Sequence, residues 1–155
     1  MTEPEFRELA DRYFVMWKET FDPTHQTGLP VADVDERLQD WILDAEFERP
    51  EDLWRFILAA LERDREGEVL HVLSAGELEN ILVYHGPAFI DRVENEARTN
   101  PRFATLLGGG WNRDMKPEVW ARVVAARDRH GWDGEDAPAD HWWKPPAVPD
   151  VEARQ

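Results

Sequence analysis

An all-α fold is expected for this 155-residue chain on three grounds. Apolar residues recur at helical spacing, no stretch sustains apolar/polar alternation, and helix-capping and helix-breaking residues punctuate the chain at short intervals. The expected architecture is a single bundle of seven or eight short helices over residues 1–131, followed by an extended acidic tail, rich in Pro and Trp, over 132–155. A stack of helical hairpins is the alternative arrangement. No repeat at a fixed period is present, which favours one bundle over a solenoid. A chain of this length buries roughly 70% of the surface it exposes unfolded. Its 42% apolar and 11% aromatic residues supply a core despite 33% charged residues and a mean hydropathy of −0.64.

The elements follow in order. Thr2 and Glu5 have capping-box spacing, and Phe6, Leu9, Ala10, Tyr13 and Trp17 mark one face of a helix to about Thr20, ended by Asp22-Pro23. Asp33-x-x-Glu36 is a second cap signal, before a helix over 34–47 with Val34, Leu38, Trp41, Ile42 and Ala45 inward. Pro50, with Glu51 and Asp52 at the positive end of the dipole, opens a third helix carrying Leu53, Trp54, Ile57, Leu58 and Leu61. After Gly67 a short helix covers Glu68 to Leu73. Ser74-x-x-Glu77 then reads as a third capping box, starting a helix with Leu78, Ile81, Leu82 and His85 on one face. Gly86 reads as its C′ residue and Pro87 as the start of the next helix, through Phe89, Ile90, Val93 and Ala97. Asn100-Pro101 opens a short helix with Phe103, Leu106 and Leu107, Gly108-Gly109-Gly110 breaks the pattern, and Pro117 opens the last helix, to Arg129.

Charge excludes several partners. With 18 Lys+Arg against 33 Asp+Glu the formal net charge is −15, a surface that repels nucleic-acid phosphates and anionic lipid. The charge is uneven: residues 1–66 carry a net −10, 67–130 a net −1 and 131–155 a net −4. No apolar run approaches the ~20 residues that span a bilayer, and the N-terminal residues show no signal-peptide pattern, so a cytoplasmic location is expected. The absence of Cys excludes disulfides, thiolate catalysis and Cys-based metal sites.

Four motifs, Pro50-Glu51-x-x-Trp54-x-x-Ile57, Leu73-x-Ala75-Gly76-x-Leu78-Glu79, His85-Gly86-x-x-Phe89-Ile90-x-x-Val93-Glu94-x-x-Ala97 and Pro101-x-Phe103, together resemble a bacterial family known only as a domain of unknown function. The likeness covers about residues 50–111. It implies a bacterial, helical, intracellular protein and assigns no activity. Asn100 stands where similar members usually carry Asp, and it caps equally well.

Glu79, His85 and Glu94 are the candidate catalytic residues, because a carboxylate beside an imidazole is the usual general acid/base pair. Against this stands a buried His that locks the Gly86-Pro87 turn with help from one carboxylate. Glu68-x-x-His71 has the i, i+3 spacing of di-iron bundles but lacks the remaining ligands, so no metal and no cofactor are expected. Gly108-Gly109-Gly110 lacks the Lys-Ser/Thr of a phosphate loop and reads as a hinge or close-packing turn. Trp17, Trp41, Trp54 and Trp120 fall on apolar faces, whereas Trp132, Trp142 and Trp143 lie in the tail.

The leading expectation is a non-catalytic acidic protein that binds a basic protein partner, with an immunity or antitoxin-like inhibitor as its concrete form. The partner-binding residues are then Asp33, Asp35, Glu36, Asp40, Asp44 and Glu48, together with Trp142 and Trp143. The tail either packs on its own domain or docks on a partner or on a second copy of the chain, a route to homo-oligomers. The alternative is a small enzyme or ligand-binding domain with a Glu/His pocket near His85.

Overall fold

The computed structural model describes residues 1–20 and 35–132, and every regular element among them is helical. Helix α1 is Glu3–Thr20, α2 Glu36–Glu48, α3 Pro50–Arg63, α4 Leu70–Leu73, α5 Glu79–Thr99, α6 Pro101–Gly108 and α7 Pro117–Ala126, with a π-helical turn at Ser74–Leu78 between α4 and α5. No helix among the described residues is long and apolar enough to cross a membrane.

The starts of these helices follow local chemistry. The Thr2 amide donates to Glu5 Oε2 at 2.6 Å and the Glu5 amide to Thr2 Oγ1 at 3.5 Å, a reciprocal cap for α1. Asp35 is the N-cap of α2, accepting the Leu38 amide at 3.0 Å, while Asp33 lies outside the described residues. Arg12 grips the same carboxylate with Nε and Nη2, both at 2.7 Å, which ties the start of α2 to α1. Pro50 and Pro101 occupy first-turn positions where a missing N–H costs nothing, and Asn100 accepts the Phe103 amide. Asp64, 1% exposed, closes the Gly67 turn by accepting the Glu68 and Val69 amides at 2.8 and 2.9 Å.

One of the expected helix boundaries does not exist, and another is a kink without a connecting loop. Ser74 has right-handed helical backbone, φ −66° and ψ −53°, and its hydroxyl donates to Leu106 O at 2.7 Å instead of capping. Near Gly86-Pro87 the expected break is present as a kink between two helices that follow one another directly. His85 alone leaves helical geometry, at φ −132° and ψ 18°, the kink a proline produces two residues upstream by removing a donor and crowding the preceding turn. Gly86 also serves packing, since a Cβ there would meet the Val119 methyls of α7 at 3.0 Å. Residues 70–99 therefore form one kinked rod where three helices were expected, and the described chain has six helical rods in place of seven or eight.

Helix α3 is the hub, packing against α1, α2, α4, the π turn, α5 and α6. That connectivity belongs to a single core, because the repeats of a solenoid touch only their neighbours. Phe56 serves one side, with Tyr13 at 5.3 Å and Trp41 at 5.5 Å between ring centroids, both edge-on. Trp54 serves the other, meeting Phe103 at 5.5 Å and Phe89 at 6.0 Å. Trp17, Trp41 and Trp120 are partly buried against the same core, as their helical spacing predicts.

Trp132 is not a tail residue. It is 4% exposed, its indole N–H donates to Thr105 O at 2.8 Å, and its ring covers Gly109. The segment before it is pinned to α6, with the Asp128 amide on Ala104 O at 2.9 Å and Arg129 on Gly108 O at 2.9 Å. The glycine run makes this approach possible: a Cβ on Gly108 would stand 1.8 Å from Asp128 O, and one on Gly109 2.5 Å from the Trp132 ring. Trp142 and Trp143 lie outside the described residues. Gly108→Ala should accordingly destabilise by roughly 1–3 kcal/mol as backbone overpacking. Gly110→Ala, whose nearest contact is 3.5 Å away, should stay within about 0.5 kcal/mol. Paired denaturant melts check this contrast, and equal losses would contradict it.

Candidate functional site

The π turn Ser-Ala-Gly-Glu-Leu widens the helix by one residue and changes the direction in which the following side chains leave it. Three consecutive residues, Glu77, Leu78 and Glu79, are buried here, which a helix with one inward face cannot accomplish. The rod is covered on both sides: Glu77 faces α1, and Glu79 faces the loop before α7.

Glu77 is 7% exposed and accepts the Tyr13 hydroxyl at 2.6 Å, a contact joining residues 64 apart in the chain. Burial pushes its carboxyl up to about 7, opposed by the Tyr13 hydroxyl and its own amide and assisted by repulsion from Glu46. Burial and the neighbouring Glu77 likewise hold the Tyr13 phenol well above its usual range. Glu46, 8% exposed on α2, accepts Asn80 Nδ2 at 2.6 Å, and Asn80 Oδ1 accepts Arg113 Nη2 at 2.6 Å. Arg113 also pairs with Glu79 at 3.1 Å, and the Trp111 amide donates to the same carboxylate at 3.4 Å. Burial raises Glu79 as well, with the Trp111 amide and Arg113 opposing. Among the described residues neither Glu46 nor Glu77 forms an ion pair.

Glu46 and Glu77 line one hollow of about 290 Å³ between α1 and α2, whose other walls include Met16, Trp17, Ile42 and Leu43. A larger hollow of about 410 Å³ lies between α1 and α3. Two of the charges that line it, Arg63 and Asp11, are paired with each other, and the Arg63 guanidinium lies over the Phe14 ring at 4.2 Å.

The expected Glu79, His85 and Glu94 are directed to three different neighbours. His85 Nε2 donates to the backbone O of Glu46 at 2.7 Å, fixing the ring tautomer and clamping the end of α2 onto α5. Glu94 accepts Arg122 Nε at 3.0 Å, which holds its carboxyl below the usual range and ties α5 to α7. Glu94 lies on the helix beyond the kink, nine residues and ~13 Å of rise from His85. Glu68 pairs with Lys18 at 3.2 Å.

The expected acidic face divides too. Asp35 is spent on Arg12 and on capping, which lowers its carboxyl, and Asp44 accepts Arg49 Nε at 2.9 Å. Glu36, Asp40 and Glu48 are exposed and form no ion pair among the described residues. Between them stand Leu43, 57% exposed, and Phe47, 50% exposed, whose ring leans on exposed Tyr84 at 4.7 Å. Large apolar side chains this open, set among carboxylates, went unnoticed in the sequence.

Residues 32–131 match the model of DUF6869, a family of unknown function. The chain belongs to that family. No curated protein and no solved structure matches it. In this DUF6869 chain α1 precedes the matched span, so Glu46 and Glu77 come from the family domain while Tyr13, Met16 and Trp17 come from outside it.

The buried acid sets a pH dependence of known sign. Glu77 titrates near 4.5 when unfolded and near 7 in the fold, so the folded state holds the extra proton between these values. Its stabilising contribution is complete below pH 4.5 and is lost as pH rises through 7. Relative to Glu77→Gln, which keeps an acceptor for Tyr13 and cannot ionise, the wild type should lose roughly 3 kcal/mol between those limits. Urea melts of both proteins across this range measure the difference. A constant difference would show that folding does not shift the Glu77 carboxyl.

Proposed function

We propose that this DUF6869 protein is a non-catalytic binding protein whose ligand is a basic protein, docking on the outer face of α2. The observation that carries the reading is the exposed set Leu43, Phe47 and Tyr84 among the exposed carboxylates Glu36, Asp40 and Glu48, which form no ion pair among the described residues. Such a face offers apolar anchors of the kind that dominate interface energies, with a rim that selects cationic partners. The net −10 of the first 66 residues adds a long-range field that speeds capture of a basic protein. Inhibition of a basic toxin, in the manner of an immunity protein or antitoxin, is the concrete form of this function. The three candidate catalytic side chains are each occupied by a structural partner, which supports binding over chemistry.

A lysine- and leucine-bearing amphipathic helical peptide is a defined probe of the face. Isothermal titration should show binding that weakens as salt rises, with losses of at least tenfold for Phe47→Ala and for Asp40→Lys. Glu118→Lys, a charge reversal of the same size on α7, should leave affinity within about twofold, because its site lies on another helix. Equal losses from Asp40→Lys and Glu118→Lys would reduce the interaction to net charge and remove the α2 site.

A further inference from the structure

We infer that the hollow between α1 and α2 is a receptor for a single lysine side chain, supplied by the basic partner that docks on α2. The inference rests on the docking reading and adds what the partner must carry. Leu43 belongs to both features: it lines the hollow and is 57% exposed, so the hollow opens beside the proposed docking face.

Three observations select the ligand. The volume, about 290 Å³, lies at the lower limit of small-molecule pockets and suits one side chain rather than a cofactor. The walls are graded: Met16, Ile42 and Leu43 suit a hydrocarbon stem, and the Trp17 ring suits a cation held against its face. The acidic groups are two carboxylates, each more than nine-tenths buried and neither ion-paired among the described residues. Isolated buried carboxylates are costly, and an entering cation removes that cost.

The arrangement also separates lysine from arginine. Glu46 has one oxygen committed to Asn80, and Glu77 has one committed to Tyr13. The remaining acceptor capacity is divided between two carboxylates on different elements. An ammonium is a compact charge with three rotatable donors that can serve both, whereas the planar guanidinium fork matches two oxygens of one carboxylate.

The test uses the full ¹⁵N-labelled chain at pH 8 and two probes, N-acetyl-lysine methylamide and its norleucine counterpart, which keeps most of the stem and lacks the ammonium. The lysine compound should shift the Trp17 indole N–H resonance saturably, and the norleucine compound should bind at least tenfold more weakly. Glu46→Gln and Glu77→Gln should each weaken the lysine compound at least tenfold, and if one variant fails to fold the other carries the test. Val124→Ala, exposed on α7 and outside both the hollow and the docking face, should leave it unchanged. Equal responses to the two probes, or wild-type affinity in both Gln variants, would overturn the lysine receptor. Normal peptide binding by those Gln variants would likewise overturn it while leaving the docking face intact, and lysine-probe binding without peptide binding would remove only the docking face.

Discussion

Glu77 can be buried only because the helix that carries it is widened at Ser74–Leu78, α1 lies across that turn, and Tyr13 meets the carboxyl there. A regular helix through these residues would turn either Ser74 away from Leu106 or Glu77 away from Tyr13. The π turn keeps both bonds, and so joins α1 on one side and α6 on the other to a single point of the rod. A π turn and a desolvated acid are thus held by long-range contacts, the pattern expected where a fold positions a functional group.

The rest of the polar interior extends from this point. Glu46 on α2, Asn80 on α5, Arg113 before α7 and Glu79 at the rod form one hydrogen-bonded chain, with His85 fastening the Glu46 carbonyl. A chain of this kind specifies how α2 sits on α5, since each member loses its partner if the helix shifts. It also keeps two carboxylates beside the α1–α2 hollow that form no ion pair among the described residues. Family membership covers the elements bearing those carboxylates, while α1, with Tyr13 and Trp17, completes the hollow from outside the matched span.

Much of the helical pattern was legible from local chemistry. Thr2 with Glu5, Pro50 and Asn100-Pro101 mark true starts, because caps and first-turn prolines act over four residues. Ser74-x-x-Glu77 has the same spelling and a different use: its two side chains bond to Leu106 and Tyr13, 32 and 64 residues away, and no local rule sees such partners. Gly86-Pro87 does mark a true break, at His85, and α7 packs over Gly86 so that the two helices join without a loop. Trp132 was assigned to the tail because nothing in its neighbours shows that Gly108 and Gly109 leave a seat for it. The site itself was half visible. Glu46 stands four residues after Ile42 and beside Ala45, so the spacing that placed those two inward also placed an acid among them.

The state of one proton decides most of this. Side-chain carboxyl ¹³C chemical shifts, followed through a pH titration of the folded chain, report it directly for each Glu. A midpoint for Glu77 near 7, well above its ordinary 4.5, is the expected result. A midpoint at the ordinary value would contradict the account, because burial would then not outweigh the hydrogen bonds that favour the charged carboxylate.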